Sequence, residues 1–134
     1  MTRNKISILI VLLALLFVSL ACDFSASTAN ISEAFLSNTE DGSAQTTVFS
    51  QDEIIYCIVD LKNAPDETVV KTEWIAVDVE NTEPNYIIDT VEVTTGSDTL
   101  TFNLSNTGLW PLGQYRADVY LNEELTNSLT FTVQ

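Results

Sequence analysis

Cys22 and Cys57 are the two thiols of this sequence, and no histidine accompanies them, so a cysteine nucleophile has no partner base. The same lack of histidine removes the Ser-His-Asp triad and the commonest zinc ligand. Nineteen carboxylates are available for acid-base work, yet none stands in a pattern that builds a pocket for a paired-carboxylate hydrolase. Cys57 alternates with Ile55, Val59 and Leu61, which marks it as a buried, inert thiol. The expectation is a protein that is not an enzyme and carries no cofactor.

Calcium is the ion best suited to what remains. Glu40-Asp41-Gly42 with Asp60, or Asn63 with Asp66 and Glu67, supplies several hard oxygen donors. Their spacing matches no EF-hand, and Asn, Asp and Gly are also the ordinary residues of turns, so turn chemistry is preferred and no metal site is assigned. Gly42, Gly96, Gly108 and Gly113 are isolated, which leaves no glycine-rich cradle for phosphate. Among Phe49, Tyr56, Tyr86, Trp110 and Tyr120, alternation directs Tyr56 and Tyr120 toward solvent. There they serve either as a platform for a glycan or a protein, or as cross-strand pairs on a sheet face; pairing is preferred, and no binding residue is assigned.

Charge narrows the partners. Of the five basic residues, Arg3 and Lys5 lie in the N-terminal leader, leaving Lys62, Lys71 and Arg116 against 19 acids, a formal charge of 3 − 19 = −16 for the remainder. Nucleic acid is excluded, because phosphate recognition needs clustered cations.

The leader itself has three parts in order. Met1 to Lys5 is short and basic, 6–18 is apolar except for Ser7, and small residues follow. Thirteen residues at about 1.5 Å rise reach roughly 20 Å, short of a hydrocarbon core of about 30 Å, so a signal peptide over 1–21 is expected and a permanent spanning helix is not. The junction Val18-Ser19-Leu20-Ala21-Cys22 resembles the lipobox of bacterial lipoproteins. Ala21 and Cys22 match that pattern; Ser19 departs from it, standing where the family usually has Leu.

The resemblance implies lipidation of Cys22 and cleavage before it, with palmitate-type acyl chains fixing the chain to the membrane. Each buried methylene contributes about 0.8 kcal/mol, so two or three chains hold durably where one is marginal. The other reading of Cys22 is a half-cystine paired with Cys57 in an oxidising compartment. Asp23 resembles an inner-membrane retention signal of some bacteria, which leaves inner or outer membrane open. Residues 22–30 are small and polar and read as a tether.

From residue 31 to 134 one domain is expected, built from strands. Val, Ile, Thr, Tyr and Phe recur between Asn, Asp, Gly, Pro and Ser, which predicts strands over 31–37, 46–49, 53–61, 68–79, 85–93, 99–105, 113–121 and 128–133. Alternation gathers Ile55, Cys57, Val59 and Leu61 on one face, and likewise Leu100, Phe102 and Leu104; Tyr115, Ala117, Val119 and Leu121; and Leu129, Phe131 and Val133. Over 68–79 two apolar sets compete, Val70, Trp74 and Ala76 against Val69, Ile75, Val77 and Val79, which predicts a central strand apolar on both faces with Trp74 inside.

Cys57, Trp74 and Tyr115, with Ala117 where a second cysteine would stand, resemble the core positions of immunoglobulin-like sandwiches. Trp110-Pro111-Leu112-Gly113 suits the turn that enters the tyrosine's strand. The resemblance implies an all-β, antiparallel immunoglobulin-like β-sandwich of about seven or eight strands behind an N-terminal signal helix. It implies no inter-sheet disulfide, and a Tyr115 hydroxyl bonded to backbone at the preceding corner. The expected role is a membrane-anchored extracytoplasmic lipoprotein acting as a non-enzymatic protein-interaction or envelope-assembly module; the alternative is a glycan- or cation-binding surface lipoprotein.

Overall fold

The computed structural model describes residues 28–134; the expected signal peptide, Cys22 and most of the expected tether lie outside them. Eight strands follow in order: β1 (Asn30–Ser37), β2 (Val48–Phe49), β3 (Ile55–Lys62), β4 (Thr68–Val79), β5 (Tyr86–Thr95), β6 (Asp98–Leu104), β7 (Gly113–Leu121) and β8 (Glu124–Val133). They form two sheets, β1-β3-β6 and β2-β8-β7-β4-β5. The β1 and β2 segments divide the first edge between the sheets, β1 pairing antiparallel with β3 and β2 pairing parallel with β8. Pairing is antiparallel as expected except at the two-residue β2. A two-residue strand that arrives from the opposite sheet runs alongside the last strand in the same direction.

The inner faces bury the alternating sets. Ile55, Cys57, Val59, Leu61, Phe102 and Leu104 from the small sheet meet Val70, Trp74, Tyr115, Ala117, Val119, Phe131 and Val133 from the large one. The competing patterns of β4 have one cause. Val70, Thr72, Trp74 and Ala76 face inward, and an irregularity between Ala76 and Asp78 then shifts the register by one residue. Val79 thereby rejoins the core, although its parity is opposite to that of Trp74. Ile75, before the bulge, is buried on the outer face, where it pairs with Ile87 and Arg116.

Strand β8 begins four residues earlier than alternation indicates. Asn122 and Glu123 both adopt positive φ, 46° and 71°, and close a two-residue hairpin between Leu121 and Glu124. Asn122 also ties this hairpin to β4: its N–H donates to the Val69 carbonyl, and its Oδ1 accepts the Val69 N–H. A second small apolar cluster lies outside the sandwich. Phe35 pairs with Ile58 across the outer face of the small sheet, and the turn at Gly42 (φ 73°) lies over them, so that a Cβ there would meet both side chains at 3.1–3.2 Å.

Candidate functional site

The two ends of the sandwich differ in chemistry. Asn30 pairs with Lys62 at the end where β3 finishes, and the Thr28 hydroxyl donates to the Asn63 carbonyl, so the chain joins the domain there. The opposite end is made of the segments 50–54, 80–85 and 105–112, which precede β3, join β4 to β5 and precede β7. About 25 Å separates the two ends along β3.

At this loop end Trp110 is the organising residue. Its N–H donates to the Gln51 carbonyl (2.8 Å), its Nε1 donates to the Glu53 carbonyl (3.0 Å), and its carbonyl accepts from Gln51 Nε2 (2.8 Å). The Glu80 N–H donates to the Leu112 carbonyl, and the Tyr115 hydroxyl donates to the Pro111 carbonyl at 2.7 Å. That last bond is the backbone contact expected of Tyr115. Five bonds thus hold the 105–112 segment against its neighbours. They frame an apolar notch of about 120 Å³ lined by Ala76, Val79, Tyr86, Ile88, Trp110 and Tyr115, among others.

At this same end stand large apolar side chains that nothing covers, and of them Tyr86 lines the notch. Leu109 is 65% exposed, Tyr86 54%, Ile87 52%, Ile54 43% and Leu112 37%. Of the seven exposed large hydrophobics among the described residues, these five lie at the loop end, while Val48 lies on the β2 edge and Leu125 at the tether end. Exposed carboxylates stand in or beside the same segments: Asp52, Asp78, Glu80 and Glu83. Each of the three cations among the described residues is held elsewhere by an acid two residues away on its own strand, Lys62 by Asp60, Lys71 by Glu73 and Arg116 by Asp118.

The residues singled out by sequence fall into three groups. Cys57 is fully buried, and burial pushes its thiol up to about 12, far from a reactive thiolate. Phe49 and Trp110 are buried too, which removes them from any exposed aromatic platform. Tyr120 pairs with Lys71 across the large sheet, with the Lys71 ammonium 4.2 Å from the ring centre. Tyr56 is half-buried, and Tyr86 alone of the five candidates is widely exposed. The calcium donors are used locally: Asp41 Oδ1 accepts the Ser43 N–H, and the Asp60 carboxylate accepts Ser32 and Thr99 hydroxyls and pairs with Lys62. Hydrogen bonding from Ser43 and Ser32 holds both carboxyls below their ordinary range. Among the described residues no three His, Cys, Asp or Glu side chains gather as a metal site.

No family model and no curated protein matches this sequence. Solved structures do match. An immunoglobulin-like protein from Pseudomonas aeruginosa aligns with a TM-score of 0.55 and 15% identity over 82% of this chain and 100% of its own. The fold is immunoglobulin-like. An alkylpurine DNA glycosylase from Pseudomonas fluorescens, bound to DNA containing an abasic site analog, aligns at 0.53 and 15% identity over 81% of this chain. A β-glucosidase from Listeria innocua aligns at 0.51 and 18% over 79%. The chain spans 31% of the glycosylase and 16% of the glucosidase, so both likenesses concern one domain of a larger enzyme.

Ile54, Ile87, Leu109 and Leu112 carry no motif, and sequence reasoning passes over them. Their one signal is an apolar residue in or beside a turn segment. Buried Cys57 and Tyr115 give a pH dependence. Burial raises the Cys57 thiol from 9.0 and the Tyr115 hydroxyl from 10.0, each to about 12. The folded chain keeps these protons more tightly than the unfolded chain does, so stability is full below about pH 9 and falls as pH rises to about 12. Melting curves across that window are expected to show the fall, and Cys57→Ala to lose the part that begins near pH 9; a flat profile in the parent chain contradicts the assignment.

Proposed function

We propose that this chain is a lipid-anchored lipoprotein of a bacterial cell envelope, working without catalysis as a protein-interaction or envelope-assembly module. Its anchor is Cys22 on the outward side of the membrane, and its working surface is the loop end of the sandwich. The observation that carries this reading is the gathering of Ile54, Tyr86, Ile87, Leu109 and Leu112 at the end of the domain opposite Thr28 and Asn30. A chain held by its N-terminus turns that end away from the lipid, and exposed apolar side chains that cannot reach a bilayer suit a protein partner.

A photo-cross-linking residue in place of Leu109, in cells, tests the surface, with Leu125 at the tether end as comparison. A discrete partner captured from position 109 and not from 125 is expected. Capture only from 125 overturns the orientation. The anchor has its own test in the intact mass of the membrane-extracted chain, which should begin at Cys22 with added acyl mass; an unmodified soluble product overturns it.

A further inference from the structure

The notch names the chemistry of its partner. We propose that the loop end takes a cationic polypeptide segment, which inserts one large apolar side chain into the notch and lays lysine or arginine side chains on the surrounding carboxylates. This rests on the loop end being the partner-binding surface.

Size comes first. At about 120 Å³ the notch falls short of the few hundred Å³ in which a small-molecule ligand is enclosed, and it suits a single anchoring side chain. Its walls are aliphatic and aromatic, Val79, Ile88, Trp110 and Tyr115, with Tyr86 half in solvent at the rim. A preformed pocket lined in this way rewards a leucine or phenylalanine and nothing polar. The hydrogen bonds from Trp110, Gln51, Glu80 and Tyr115 hold the walls before any partner arrives, so little ordering remains to oppose binding.

Charge supplies the second half. Asp52 adjoins Gln51, which pins Trp110; Asp78 and Glu80 flank Val79; Glu83 follows Thr82, also in the lining. All four carboxylates are exposed, and none has a cation within its own turn. Glu53, by contrast, spends both oxygens on Asn38 and the Ser50 N–H and belongs to the scaffold. Lys62, Lys71 and Arg116 are each committed to an acid on their own strand, so the loop end presents a field of one sign that repels anionic partners and steers cationic ones.

Joining the sheet at β5 is the competing mode, and this edge is defended. Asp89 Oδ1 accepts the Thr90 N–H, and the register with β4 slips between Trp74 and Ile75, so the edge offers an interrupted row of donors.

The test uses the full chain in zwitterionic nanodiscs, with empty nanodiscs as blank. The probe is a hexapeptide of Leu-Phe flanked by two lysines on each side; one comparison peptide replaces the lysines with glutamates and another replaces Leu-Phe with two serines. The lysine peptide should bind and shift the tryptophan emission, losing about tenfold in affinity between low and physiological salt. Tyr86→Ser with Leu109→Ser should weaken it about tenfold at an unchanged melting temperature. Glu80→Gln with Glu83→Gln should flatten the salt dependence. Equal binding of the glutamate or the serine peptide overturns the proposal, as does undiminished binding by the Tyr86/Leu109 variant. A partner cross-linked at position 109 through a segment without Lys or Arg also overturns it, while leaving the interaction surface standing; loss of that cross-link altogether removes the surface itself.

Discussion

Phe131→Ala is expected to lower the unfolding free energy by about 4 kcal/mol, with the melting temperature falling by roughly 20 °C. The ring of Phe131 is the meeting point of the inner face of the large sheet. It stacks on Tyr115 with ring centres 5.3 Å apart and planes 13° from parallel, and it meets Phe49 and Trp74 edge-on at 5.5 Å and 6.3 Å. Removing it takes away three aromatic contacts at once and leaves a void between fully buried neighbours whose backbones are fixed by strand pairing. Because Tyr115 loses its stacking partner, the Pro111 corner should loosen as well. The measurement is urea unfolding of the parent and the variant. A loss below about 1.5 kcal/mol, the scale of a conservative core change, shows that the aromatic hub is not what holds the sheets together.

Gly113→Ala is expected to cost about 3 kcal/mol or more, for a reason that has nothing to do with lost contacts. Gly113 has φ 148°, and a Cβ built there would stand 2.3 Å from the Asp78 carbonyl oxygen and 2.7 Å from the Val79 Cα. Both obstacles are backbone, so no rotamer change relieves them. They belong to the stretch of β4 just past the bulge, where Val79 pairs with Gly113. A side chain at 113 pushes the end of β4 away from β7, draws Val79 from the core and breaks the Glu80 to Leu112 bond that pins the notch wall. The substitution should therefore weaken peptide binding at the loop end as well as stability. Gly108→Ala is the comparison: nothing lies within 4 Å of a Cβ there, and its effect should stay within about 0.5 kcal/mol. Equal stability of the two variants contradicts the account.

Sequence alone determined the class of architecture and most of the core, because period-two alternation is a local property that each strand declares for itself. Leu100 to Leu104 and Leu129 to Val133 carry it unbroken, Ile55 to Leu61 carries it on its inward side, and all three supply the inner faces. The positions of Cys57, Trp74, Tyr115 and Ala117 were legible as well, since their types and order mark an immunoglobulin-like core, and Tyr115 makes the corner bond that the resemblance implies. Only the tertiary structure decided the rest. The bulge in β4 changes which parity faces inward, and a change of phase inside one strand is invisible until the neighbouring strand is in place. The parallel β2–β8 pair needs the chain to leave one sheet and join the other. The loop end is a product of convergence. Asp52 with Ile54, Tyr86, and Leu109 stand in or beside three turn segments far apart in the sequence, and they become one apolar, anionic surface because three connections emerge from the same end of the sandwich.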